Sequence, residues 1–130
     1  MGSLLDTSVL VETERSGVLP HLSEEDDVAI SAVTAAELLH GVHRAKTPEQ
    51  RARREAFVTT VLSAVEVLPF DLDTARVHAR IWAELVAAGT KIGDLDMMIA
   101  ATALARGWAV ITRNERDFAR VPGLSVIAVR

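Results

Sequence analysis

The amino-acid sequence predicts a single α/β domain over residues 1–130, with a central, mostly parallel sheet flanked by helices. Short β-branched apolar runs alternate along it with longer segments whose apolar positions repeat at the helical period. Parallel neighbours need crossover connections of that length. Size and balance agree, because 130 residues, 49% hydrophobic and 25% charged, suffice for one buried core.

Taken in order, Ser3-Leu4-Leu5 reads as a short buried strand, and Asp6 stands at its tip, either as a functional carboxylate or as the N-cap of a helix from Ser8. Val28-Ala29-Ile30 is the second strand, followed by helices near Val33 to Ala45 and Pro48 to Leu62. Val65 to Leu68 supplies a third strand. From Leu72 a helix places Ala75, Ala79, Trp82, Leu85 and Val86 on one stripe, with Arg76, Arg80 and Glu84 opposite, and Gly89 closes it. A last long helix spans Leu95 to Arg106 and stops at Gly107. Ala109-Val110-Ile111 and Val126 to Val129 complete the sheet.

Composition narrows the chemistry. With no cysteine, the chain has no disulfide, thiolate nucleophile or Cys-type zinc or iron–sulfur site, so any metal must take oxygen or imidazole ligands. The formal charge of -4 argues against coating nucleic acid by bulk electrostatics, although an acidic metal site would itself contribute to that charge. No stretch approaches the roughly 18 apolar residues of a membrane span, and no secretory signal pattern opens the chain, so the expected location is the cytoplasm. The run Arg51-Ala52-Arg53-Arg54-Glu55 reads as a solvated helix face in preference to an RNA-binding patch.

The acids follow the strands. Asp6 ends the first, Glu37 follows the second, Asp94 and Asp96 open the helix at 94–101, and Asn114 and Asp117 follow the fourth. In an open parallel sheet the carboxyl ends of the strands form the ligand crevice, so these positions would converge there. Clustered carboxylates repel unless a cation lies between them, and magnesium or manganese suits oxygen ligands with water in the remaining positions. A phosphodiester is the substrate such a site fits best. Read singly, Asp94 is equally an N-cap and Glu37 equally an ordinary acid near a helix start, while Asp96 reads less readily as a mere N-terminal charge than as a functional acid.

Four blocks extend this reading: Leu4-Leu5-Asp6-Thr7-Ser8-Val9-Leu10-Val11, Thr34-Ala35-Ala36-Glu37-Leu38-Leu39-His40-Gly41-Val42, Ile92-Gly93-Asp94-Leu95-Asp96 through Ala103, and Ile111-Thr112-Arg113-Asn114-Glu115-Arg116-Asp117-Phe118. In order and spacing they resemble the motifs of PIN-domain proteins, most of all the VapC-type toxins of bacterial type II toxin–antitoxin systems. The resemblance covers essentially the whole chain. It implies a PIN-like three-layer fold and a magnesium-dependent endoribonuclease, with manganese able to substitute. Asp6, Glu37 and Asp96 match the family's three acids as catalytic and metal-ligating residues, and Asp117 joins them as a catalytic residue. Asp94, Asn114 and Asp117 are the weaker metal candidates, and Asn114 stands where many relatives carry Asp. Thr7, Ser8 and Thr112 are candidates to hydrogen-bond the acids or the scissile phosphate, although Ser8 reads more readily as a helix cap, and Thr112, Arg113 and Lys91 are the substrate-binding candidates.

The same resemblance implies a homodimer and a cognate VapB-like antitoxin, joined in a heterotetramer or larger assembly. The apolar surface of the helices between Val33 and Leu62 is the expected groove for that antitoxin. A catalytically weak PIN-fold interaction module is the alternative that Asn114 keeps open. A haloacid-dehalogenase-like phosphatase is disfavoured, because position 8 is Ser where that chemistry needs a second Asp. Glu37-Leu38-Leu39-His40 matches half of a di-iron motif that would need a second copy, and His21 and His78 have no partner at ligand spacing. Nothing in the sequence selects among tRNA, ribosomal RNA and messenger RNA.

Overall fold

A computed structural model describes residues 2–18 and 27–129, and His21 lies outside the described residues. The elements run β1 (Gly2–Leu5), α1 (Thr7–Ser16), β2 (Asp27–Ser31), α2 (Ala32–His43), α3 (Pro48–Ala64), β3 (Glu66–Leu68), α4 (Leu72–Ala87), α5 (Asp94–Leu104), β4 (Ala109–Thr112), α6 (Glu115–Phe118) and β5 (Val126–Ala128). The sheet has the order β3-β2-β1-β4-β5, and every neighbouring pair is parallel. Its order reverses at β1. The chain steps outward through β2 and β3, then returns across α4 and α5 to lay β4 on the other side of β1. The carboxyl edge between β1 and β4 is therefore the switch point where such sheets bind ligands.

Strand alternation sorts the core into two layers. Leu4, Ala29 and Val110 face Ile81 and Leu85 of α4 and Met97 and Ile99 of α5. Leu5, Ile30 and Ile111 face Val9 and Leu10 of α1, Leu38 and Val42 of α2, and Val58 and Val61 of α3. Covered on both sides, the strands read as short unbroken apolar runs. Gly2 admits the indole of Trp108 at the start of β1, where a Cβ would collide with the ring.

The sequence expectations for the strands hold to within two residues. Gly89 and Gly107 both take a positive φ, 69° and 68°, just beyond α4 and α5. The expected face of α4 needs correction. Thr74, Ile81 and Leu85 are its buried residues, whereas Leu72, Trp82 and Val86 are 66, 48 and 54% exposed and Ala79 is also exposed. Apolar residues occupy both sides of this helix, so periodicity identifies the helix without identifying which side meets the sheet. The one-turn helix α6 was not anticipated, being too short to show a period.

Candidate active site

Asp6 is the first residue beyond β1, and its N–H still donates to the Ile111 carbonyl at 2.9 Å, so pairing with β4 carries it to the switch point. It occupies the N-cap position of α1, but its side chain makes no capping bond. Its Oδ2 instead accepts from Ser8 Oγ at 2.7 Å and from Thr112 Oγ1 at 2.8 Å. Each hydroxyl is held in turn: Ser8 Oγ accepts from the Arg113 N–H at 3.1 Å, and Thr112 Oγ1 accepts from the Asn114 N–H at 2.8 Å. With Asp6 only 3% exposed and Thr112 at 0%, this carboxylate is oriented from behind by two buried or part-buried hydroxyls.

Glu37 comes from α2, which starts immediately after β2 and is capped by Ser31, whose Oγ accepts from the Thr34 N–H at 3.0 Å. Thr7 opens α1 and donates to Glu37 Oε1 at 2.7 Å, with its hydroxyl 3.0 Å from Thr34 Oγ1. The two segments that follow β1 and β2 are thus tied together beside Asp6.

Asp96 lies in the first turn of α5 and is half-buried. Burial pushes its carboxyl up to about 6, and the negative charges of Asp6, Glu37 and Asp117 push in the same direction. Four acids from four separate elements therefore share one field. Asp117, in α6, is held by Asn114 Nδ2 at 3.0 Å, with Arg120 Nη1 at 3.8 Å.

The other predicted site residues lie differently. Asp94, two residues from Asp96, projects from the opposite side of the helix, because that interval turns about 200°. It pairs with Lys91 Nζ at 2.9 Å, its side chain 75% exposed, and neither residue is among the charges acting on Asp96. The Arg113 guanidinium turns to Glu12 at 3.0 Å. Thr112 spends its hydroxyl on Asp6, and the Asn114 amide nitrogen is spent on Asp117. Sequence reasoning missed a cleft beside Glu37, bounded by α1, α2 and α3, into which Arg44, Lys46 and Arg54 project. Its only sequence signal was the cations on either side of the α2–α3 turn.

The donor set suits a hard divalent cation. It consists of carboxylate oxygens, and the charges acting on Asp96 are those of Asp6, Glu37 and Asp117. Among the described residues no three acidic or histidine side chains stand close enough together, as placed, to hold a metal ion. Among the described residues no helix is long and apolar enough to cross a membrane.

Residues 3–124 match the PIN-domain family model. The chain is 37% identical over 130 residues to ribonuclease VapC1 of Rickettsia felis, covering 99% of this chain and 97% of that protein. Among solved structures it is similar to VapBC2 of Rickettsia felis bound to a DNA fragment from its promoter, with a TM-score of 0.90, 25% identity and full coverage of both chains. It is also similar to VapBC-5 of Mycobacterium tuberculosis, a member of the VapBC family of toxin–antitoxin systems, with a TM-score of 0.82, 36% identity and 98% of each chain covered.

Proposed function

The chain belongs to the PIN-domain family and is a ribonuclease of the VapC kind, and from that premise we propose a divalent-cation-dependent endoribonuclease, the toxin of a type II toxin–antitoxin pair. The observation that carries the metal dependence is the shared field at the β1–β4 edge, where burial and three neighbouring acids hold the Asp96 carboxyl at about 6. Asp6, Glu37 and Asp96 hold the cation, magnesium with manganese as a substitute. Asp117 completes the anionic wall from the far side. When bound, the cation supplies the positive charge that lets a phosphodiester and an attacking water approach these carboxylates.

The chain's own residues do the orienting. Ser8 and Thr112 fix Asp6 through Oδ2 and leave the other oxygen of that carboxylate to the cation. Thr7 does the same for Glu37 through Oε1. Asn114 aims Asp117 and contributes no charge, so it serves as a positioning residue. Pre-set carboxylates need little rearrangement as the scissile phosphate arrives.

The cytoplasmic partner of this proposal is a VapB-like antitoxin, and the toxin itself is proposed to be a homodimer. The test is cleavage of mixed RNA by purified, antitoxin-free protein with magnesium, with EDTA and after Asp96→Asn. Discrete fragments that require both the cation and Asp96 are expected. Cleavage that persists in EDTA or in Asp96→Asn overturns the metal mechanism.

A further inference from the structure

We infer that the cleft between α1, α2 and the start of α3 is the track for the single-stranded RNA backbone leading away from the scissile phosphate, an inference that rests on the ribonuclease reading above. The cleft encloses about 580 Å³ and opens directly onto Glu37, which lines it and also contributes to the field at Asp96. Arg44 follows α2, Lys46 lies in the turn, and Arg54 rises from the second turn of α3. Among the described residues none of the three forms an ion pair within 4 Å, unlike Lys91, Arg106, Arg113 and Arg120, which each face an acid.

The cleft is also shaped in advance. Arg54 Nη1 donates to the Gly41 carbonyl at 2.7 Å, so its guanidinium bridges α3 to α2, while its remaining N–H groups are left for a ligand. Gln50 Oε1 accepts from the Lys46 N–H at 2.8 Å and fixes the turn. Leu95 also lines the cleft and is about half exposed. Cations spaced along a cleft that begins at a hydrolytic carboxylate match a polyanion whose charges recur at each nucleotide. Arg44, Lys46 and Arg54 outnumber the two acids that line the cleft, Glu14 and Glu37, and in an overall acidic chain such a locally positive stretch beside the site is what draws in a polyanion. The sequence-based expectation of a solvated face thus holds for Arg51 and Arg53, which are exposed, and not for Arg54.

The experiment measures binding of a labelled, mixed-sequence single-stranded RNA to the full-length Asp96→Asn protein over a range of salt. The same binding is then measured after adding Arg44→Ala/Lys46→Ala, or Arg76→Ala/Arg80→Ala on α4 as a charge-matched control. Both cleft residues are exposed, so folding is expected to survive, and circular dichroism checks it. The cleft pair is expected to weaken binding about tenfold and to flatten the salt slope by about 1.4, from two lost phosphate contacts on a single strand. The α4 pair is expected to leave both unchanged. Equal effects from the two pairs, or none from the cleft pair, overturn the track. Unchanged RNA binding with loss of binding to a poly-glutamate peptide overturns it in favour of an acidic polypeptide. Failure of the ribonuclease reading is separately visible as wild-type protein that does not cleave RNA with magnesium present.

Discussion

Two aspartates sit at the N-cap positions of helices, Asp71 before α4 and Asp6 before α1, and the fold uses them in opposite ways. Asp71 Oδ1 accepts from both the N–H and the hydroxyl of Thr74 at 2.9 Å, and those bonds hold its carboxyl below the usual carboxylate range. Asp6 makes no capping bond; its Oδ2 accepts from Ser8 and Thr112, and its charge acts on Asp96. The same pattern extends further: Ser31, Thr47 and Asp71 cap α2, α3 and α4 through their side chains, whereas α1, α5 and α6, which carry Asp6, Asp96 and Asp117 at or near their starts, have no side-chain cap. Helix ends away from the crevice are satisfied for stability. Those that carry Asp6, Asp96 and Asp117 go without a side-chain cap, and an uncapped first turn costs stability.

The sharpest way to break this comparison is to make one substitution at both caps. Asp6→Asn is expected to lower RNA cleavage about a thousandfold, since several kcal/mol of charge stabilisation depend on an anionic ligand. Asp71→Asn is expected to leave cleavage unchanged, because asparagine caps a helix as well as aspartate does. Comparable losses at both positions, read as kcat/KM on a defined RNA, would erase the distinction.

Next in size is Thr112→Val, which removes the buried hydroxyl behind Asp6. It is expected to cost roughly 10- to 100-fold in activity and to raise the magnesium concentration needed for half-maximal rate, as loss of an orienting partner does. A fall in rate with an unchanged magnesium requirement would argue against that positioning role.

Stability should move the other way at the crevice. Because the folded protein holds Asp96 at about 6, above the ordinary 3.8 of aspartate, this group favours folding below about pH 4 and that contribution is lost as pH rises through 6. Asp96→Asn is therefore expected to stabilise the metal-free protein at pH 7.5 by about 1–2 kcal/mol, allowing for solvent screening, and by nothing at pH 4. Urea titrations at the two pH values check it, and added magnesium should reverse the order at pH 7.5. Asp71 has the opposite sign, since its lowered carboxyl adds stability above the ordinary aspartate value that is lost as pH falls through the folded one. The smallest expected effect is Thr47→Ala, about 1 kcal/mol of stability with no change in cleavage.

How much of this was legible beforehand differs by element. The strands were, because burial on both faces forces unbroken apolar runs such as Ala109 to Ile111. The carboxylates were, because each follows a strand and a parallel sheet collects strand ends at one edge. Asp94 and Asp96 were harder to separate, since adjacency in sequence says little about which side of a helix faces inward. The face of α4 was misjudged because Trp82 and Val86 are as apolar as Ile81 and Leu85, and only the sheet decides between them. The basic cleft was hidden for a related reason: Arg44, Lys46 and Arg54 become neighbours only when the α2–α3 turn folds back and Arg54 grips Gly41.

The position of β1 also bears on how the molecule comes into being. The first strand is the central one, and Ser3 must wait for Ala109, and Asp6 for Thr112, some hundred residues later. Closing a loop of that length is entropically slow, so folding should be governed by this late docking step more than by any helix. A chain still being synthesised has its first acid in place but not the hydroxyl that aims it. Any product that stops short of residue 112 carries an unfinished site, so cleavage competence is expected to appear only after synthesis has passed that residue.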